Sequence, residues 1–361
     1  MPSGGTTSKG PSWRALVWLE ESQSALVRQI GEVARMRVTA CGCPGRGRSA
    51  SVAESLGAEG FTDLRHALTS AEVDVALFAT AAGEEGKGPS PLDDAETLRI
   101  AGERGVALVS LEPSPSSVVM SRRVTKALTG VGRAEGSAIV KFVPSTRRTK
   151  GFRAAREVLE AVGPARTVSI SQRSGLGQGS LSAKLYDAML TLLVLQGEPE
   201  VIDAANSGPD TSGGVHLAPG ENLRTLRGDM TANLRFGSGR SASIVLSESA
   251  GRWFRGVTVI SRGGCVRLDD KSFEVIDQTG RTTDRSRTRL TTGGREDPDA
   301  TPEAGGAQAM GEQIAAILEG RAESESAVER ETALAMCEAA LLSARTGQGE
   351  SPATILRMAG G

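Results

Sequence analysis

Aromatic residues are scarce in this 361-residue chain: they make up 3%, with a single Tyr, three Trp and seven Phe. Single-stranded nucleic acid is held largely by base stacking on aromatic rings, so that class of partner is set aside. An excess of one charge is lacking too, since 42 Lys plus Arg against 43 Asp plus Glu leave a formal net charge of −1. Nothing in that balance draws the chain to nucleic acid or to an anionic membrane. The four cysteines, Cys41, Cys43, Cys265 and Cys337, are too few and scattered for a disulfide framework and point to a reducing, cytoplasmic setting. Cys41 and Cys43 have no His or second Cys pair beside them, so buried thiols are expected and no metal site. No apolar run reaches membrane-spanning length, and Met1 to Ser12, rich in Gly, Ser and Thr, lacks the apolar core of a signal peptide. That stretch reads as a disordered tail on a soluble protein.

What is present is length enough for roughly two domains. From Arg14 to Ser110 short apolar runs alternate with helical patterns. Arg14–Leu19 reads as a strand, and Ala25, Leu26, Ile30 and Val33 recur at helical spacing after it. Arg37–Cys41, Val73–Thr80 and Gly105–Ser110 are further strand-like runs, with helices over Ser51–Gly57, Phe61–Leu68 and Asp94–Arg104 between them. Such alternation implies a doubly wound parallel sheet over 13–140. From about Lys141 the period changes. A helix at Arg153–Val162 and a long apolar one at Leu181–Leu195 are followed by alternating strands at 200–205, 231–236, 241–246, 255–261, 266–268 and 273–277. This predicts an antiparallel sheet with one solvated face in a second domain, 141–346. Residues 281–306, almost without apolar content, read as a mobile loop, and 347–361 as a tail. Two closing helices in 307–346 carry Met310, Ile314, Ile317 and Leu318, then Leu334, Cys337 and Leu341, at core spacing, and both are free to pack back on the N-terminal domain.

Several strings, in order, resemble motifs of the glucose-fructose oxidoreductase and inositol dehydrogenase family (Gfo/Idh/MocA). They are Leu56-Gly57 to Thr62-Asp63-Leu64, Glu72 to Thr80, Ala101-Gly102 to Val109, Phe142-Val143-Pro144 and Leu234 to Gly239. The resemblance spans roughly residues 14–346. It implies a Rossmann-like N-terminal domain, an open antiparallel sheet domain flanked by helices, and NAD or NADP chemistry on a sugar, polyol or related hydroxy compound. It also implies pairing of subunits through the C-terminal sheet.

At the motifs that carry that chemistry the chain departs from the family. A pyrophosphate needs glycines in the first strand-to-helix turn, so that backbone N–H groups approach it unobstructed. The family's G-x-G-x-x-G is here Leu19-Glu20-Glu21-Ser22-Gln23-Ser24, with two carboxylates where an anion would sit. A plain helix start capped by Ser22 or Ser24 accounts for the same string. The ribose-binding acid at the end of the second strand is Gly42, and Arg46 and Arg48 follow. Those arginines suit a 2′-phosphate or are simply solvated. The turn after the fourth strand keeps Thr80.

The family's lysine in its E-K-P triplet is Glu112 in Leu111-Glu112-Pro113. Pro113 there keeps the turn and is the expected place for a cis bond, while a buried Glu112 is either a titrating group or a structural carboxylate. The helix that should supply a proton-relay His has none. Depending on register, Ser180, Lys184 and Asp187 form its triad or Asp187 takes the His position. Lys184 and Asp187, three apart, are readable as a polar cluster in the cleft or a plain surface pair. Arg147, Arg148 and Arg153 are candidates for an anion or ligand in the interdomain cleft, or a solvated helix start. His66 reads as structural and His216 as a loop residue. Together these departures favour a non-catalytic relative, ligand-binding, scaffolding or regulatory, over a standard dehydrogenase, with NAD or NADP bound only if the degenerate site still accepts it.

Overall fold

The structure, a computed structural model, describes residues 12–45, 47–80, 90–129, 140–175, 177–208, 223–287, 302–321 and 325–360. β1 (Trp13–Trp18), β2 (Met36–Gly42), β3 (Glu59–Phe61), β4 (Val75–Phe78), β5 (Ala107–Ser110) and β6 (Val140–Phe142) form one parallel sheet in the order β3-β2-β1-β4-β5-β6. The strand order reverses between β1 and β4, where doubly wound sheets open a crevice at their carboxyl ends. Because side chains alternate along a strand, β1 feeds two cores. Val17 and Leu19 pack with Ile30, Leu111 and Met310 on one face, and Leu16 and Trp18 with Phe61 and Phe78 on the other.

The helices between strands are α1 (Ser24–Ala34), α2 (Ser49–Leu56), α3 (Leu64–Ser70), α4 (Ala95–Glu103) and α5 (Val118–Thr129). Asp63 and Asp94 cap α3 and α4 by accepting from His66 N and Thr97 N. Gly57, at φ 63°, ends α2 in the left-handed conformation that glycine adopts without penalty.

α6 (Lys150–Ala161) leads to the second sheet: β7 (Thr167–Arg173), β8 (Val201–Ser207), β9 (Asp229–Phe236), β10 (Arg240–Ser247), β11 (Phe254–Ile260), β12 (Cys265–Asp269), β13 (Ser272–Ile276) and β14 (Thr282–Arg287). Their order is β14-β13-β12-β11-β7-β10-β9-β8. Every neighbouring pair is antiparallel except β7 and β10, so the sheet is mixed, as the crossover through α7 (Leu181–Gln196) requires. Met230, Ala232, Leu234 and Phe236 of β9 face inward into a core shared with α7 and α9 (Ala327–Thr346). The opposite face is open and lined by small hydroxyl residues such as Ser169 and Ser243, with Val245, Phe254 and Ile260 exposed.

α8 (Pro302–Leu318) does not stay with this sheet. Its Met310 and Ile314 complete the core on the α1 face of the parallel sheet, and Gly311 lies so close to α1 that an added Cβ would stand 2.5 Å from Val33 Cβ. Two expectations are corrected. The loop expected at 281–306 holds β14 at its start and α8 at its end; β14 is an edge strand of Thr, Asp, Arg and Ser that covers no core and so carries no apolar period. The tail expected at 347–361 holds α10 (Pro352–Met358), and Glu350 exchanges backbone hydrogen bonds with Ile202, closing the β8 edge. No helix among the described residues is long and apolar enough to cross a membrane.

Candidate functional site

The turn between β1 and α1 is filled and tied. Leu19, at the first glycine position, is fully buried among Leu26, Ile30, Leu111 and Met310. Glu21–Gln23 form a short 3-10 turn whose Gln23 side chain accepts from Glu20 N (2.9 Å) and donates to Ala79 O beyond β4 (2.7 Å). Ser24 Oγ donates to Glu21 O (2.8 Å), Ser22 is exposed, and neither serine caps a helix. The serine-capped start read from the sequence is therefore replaced by a glutamine clamp. Glu20 and Glu21 are exposed at the turn. The β7–α7 loop crosses close by, since a Cβ on Gly177 would lie 3.7 Å from Ser22 O.

Gly42 has an equally local cause. A Cβ there would meet Trp18 Cζ3 at 2.1 Å and Cε3 at 2.5 Å, so the indole occupies the volume a ribose-binding acid would need. Thr80 is buried, with its N–H near Trp18 O (3.4 Å). Arg46 and His216 lie outside the described residues. An anionic dinucleotide held on bare backbone is not what these residues fit: a core leucine, a packed indole, a turn N–H already donated and two carboxylates stand in its place.

Beyond the carboxyl end of β5 lies a cluster of buried polar side chains. Glu112 is buried and its Oε2 accepts from Ser180 Oγ (2.6 Å) and Ser182 Oγ (3.0 Å), while Ser110 Oγ braces its main chain. Burial pushes the Glu112 carboxyl above the usual range, against the pull of the two serines, Arg227 and Lys184. The cis bond expected before Pro113 stands instead at Ser114–Pro115.

Lys184, in the first turn of α7, donates to Gly179 O (2.6 Å) and Ser180 O (3.3 Å). Burial brings its ammonium down to about 8, with Arg255 acting the same way and Glu248 and Glu112 opposing. The lysine is thus more easily neutralised in the folded chain than in the unfolded one. Its favourable contribution is complete above the unfolded pKa near 10.5 and is lost as pH falls through about 8. Between those values stability is expected to rise with pH by about 3 kcal/mol from this group. Lys184→Met should flatten that rise in pH-dependent urea unfolding; an unchanged slope would assign it to other groups.

Asp187 does not pair with Lys184, and neither is a surface residue, because α7 is buried on nearly every side. Asp187 accepts from Thr146 N (2.6 Å), the Thr146 hydroxyl, Gln172 Nε2 (2.8 Å) and Arg255 Nη1 (3.1 Å). Arg255 continues to Asp270 (2.6 Å), which also accepts from Trp253 Nε1 (2.8 Å). Burial opposes the charge on Arg255, but Asp270 and Asp187 hold it on. With its oxygens so occupied, Asp187 is a brace between α7, β7, β11 and the segment after β6. Sequence reading passed over Arg255, Gln172 and Thr146. The available signal was Arg255 itself, a charge at the inward position of a strand whose Val257 and Val259 share its face.

Arg147 and Arg148 are half-buried and ion-paired, Arg147 with Glu329 (3.0 Å) and Arg148 with Glu325 (3.1 Å). Arg153 is exposed. All three line a groove of about 820 Å³ between α6 and α8, to which Glu112 and Lys184 contribute nothing. His66 is exposed and edge-on to Phe61. The cysteines are free, with Cys41, Cys43 and Cys337 buried. No group of three or more His, Cys, Asp or Glu able to hold a metal occurs among the described residues.

No protein-family model matches the chain, and no curated protein does. Solved structures do. A levoglucosan dehydrogenase in complex with NADH and levoglucosan is 14% identical with a TM-score of 0.65, covering 94% of this chain and 99% of that one. An oxidoreductase from Agrobacterium radiobacter in complex with NAD+, L-tartaric acid and magnesium is 15% identical at 0.63, covering 96% and 100%. The WlbA dehydrogenase from Bordetella pertussis in complex with NADH and UDP-GlcNAcA is 18% identical at 0.57, covering 94% and 99%. At such identities the likeness is one of fold: the chain has the build of Gfo/Idh/MocA-type dehydrogenases over nearly its whole length, as the sequence motifs implied.

Proposed function

We propose that this chain is a divergent relative of the Gfo/Idh/MocA dehydrogenases that has given up NAD(P)-dependent hydride transfer and binds a small molecule between its two sheets, in a ligand-binding, scaffolding or regulatory role. The observation that carries this reading is the Trp18–Gly42 contact beside the buried Leu19, which together fill the volume and remove the bare backbone that a dinucleotide needs. The cleft residues offered to a ligand are Ser180, Ser182, Glu112 and Lys184, a set of hydroxyls and coupled charges suited to hydroxyl or carboxylate groups. Glu112 and Lys184 also support a second reading, an NAD(P)-dependent oxidoreductase acting on a sugar, polyol or related hydroxy compound. A lysine titrating at about 8 is a competent proton relay in place of the missing histidine. Under either reading we place the protein in the cytoplasm as a homo-oligomer joined through the open face of the mixed sheet. The small hydroxyl side chains and the exposed Val245, Phe254 and Ile260 there support that pairing.

Neither NADH nor NADPH at about 1 mM is expected to raise the melting temperature. A Kd tighter than about 100 µM would add about 1.4 kcal/mol of apparent stability. A shift of that size with either nucleotide would return the chain to the oxidoreductase class.

A further inference from the structure

The groove between α6 and α8 is built from two parts of different chemistry. Its floor is apolar: Phe152 of α6, Leu195 at the end of α7 and Val259 of β11 line it, and Val194 stands 48% exposed at its margin. Its rim is cationic, with six Lys or Arg side chains against four Asp or Glu. Most of those charges cancel locally. Lys150 holds Glu312 (2.9 Å), Arg147 holds Glu329 (3.0 Å), Arg156 holds Glu160 (3.8 Å), and Asp270 is bound to Arg255 and Trp253. Arg153, exposed on α6, has no ion pair among the described residues.

A cavity of this volume is in the range that takes a small organic ligand, whose apolar body supplies the affinity and whose polar group sets the orientation. We infer that this groove is a second ligand site, independent of the Glu112–Lys184 cleft, for a small amphiphilic anion: an apolar body laid on Phe152, Leu195 and Val259, with one carboxylate or phosphate on Arg153. Arginine's planar, permanently charged fork suits either oxyanion. Both helices that wall the groove face it from different cores, α6 from the mixed sheet and α8 from the parallel sheet. A ligand there bridges the two halves of the chain.

The probe is 8-anilinonaphthalene-1-sulfonate, an aromatic anion whose fluorescence rises on apolar contact, titrated into the full-length protein. Saturable binding is expected, displaced by decanoate and by decyl phosphate but not by inorganic phosphate at the same concentration. Arg153→Glu and Val194→Glu should each weaken binding at least tenfold, and Arg123→Glu, the same charge change at an exposed position on α5, by less than twofold. Equal effects of Arg153→Glu and Arg123→Glu, or no saturable binding, would overturn the site. Displacement by inorganic phosphate as effective as that by decanoate would overturn its apolar half. A preference between decanoate and decyl phosphate, which share an apolar chain and differ in the head group, decides between carboxylate and phosphate.

Discussion

Arg255→Met is expected to lower the unfolding free energy by about 3–5 kcal/mol, the usual range when one partner of a buried ion pair is removed. Arg255 is 3% exposed and stands between Asp187 and Asp270, donating Nη1 to the first and Nε to the second. Methionine keeps the length of the stem but leaves both carboxylates without their cation. Asp187 retains Thr146 and Gln172, and Asp270 retains Trp253, so the loss is chiefly electrostatic. At this chain length the melting temperature should fall by roughly 4–7 °C. Arg123→Met, at an exposed position on α5, should stay within about 0.5 kcal/mol of the parent protein. A loss under about 1 kcal/mol for Arg255→Met in urea unfolding would mean that the network is dispensable.

The second large effect is expected at the contact between Trp18 and Gly42. Gly42→Ala places a methyl group 2.1 Å from the Trp18 ring and should cost about 2–3 kcal/mol by overpacking. Trp18→Ala empties a buried site and should cost about 3–5 kcal/mol. Because the two side chains compete for one volume, the double variant should be more stable than the sum of losses predicts, by more than about 1 kcal/mol. Strict additivity would show that the indole is not what excludes a side chain at 42. The double variant is also expected to remain blind to NADH, because Leu19 and the Gln23 clamp are untouched.

The parallel sheet was legible because strands covered on both faces must be apolar runs, as Val75–Phe78 and Ala107–Ser110 are. The mixed sheet was legible from alternation, which the one-sided burial of β9 reproduces residue by residue. β14 was not, since an edge strand with both faces wet leaves no trace in hydropathy. The glycine substitutions at the β1–α1 turn could be read as a loss, but not their cause. That Gly42 yields to Trp18 depends on parallel pairing of β1 with β2, which puts residues 24 apart side by side. Lys184 and Asp187 were found as a pair by spacing and separated by packing. One turns to the carbonyls at the helix start and the other into the Arg255 network, a distinction that needs the strand opposite α7.

α8 carries one further consequence. The face of the parallel sheet against α1 is completed by Met310 and Ile314, which follow α1 in the chain by nearly 280 residues, and Gly311 lets the two helices meet at backbone distance. On the ribosome, Val27, Ile30 and their neighbours therefore emerge uncovered and stay so until α8 is made. The second sheet, whose strands are all made before α8, waits in turn for α9, which shares its core. Synthesis order thus leaves both cores short of a helix until after residue 302, and a ribosome stalled before that point would present sticky surfaces to chaperones.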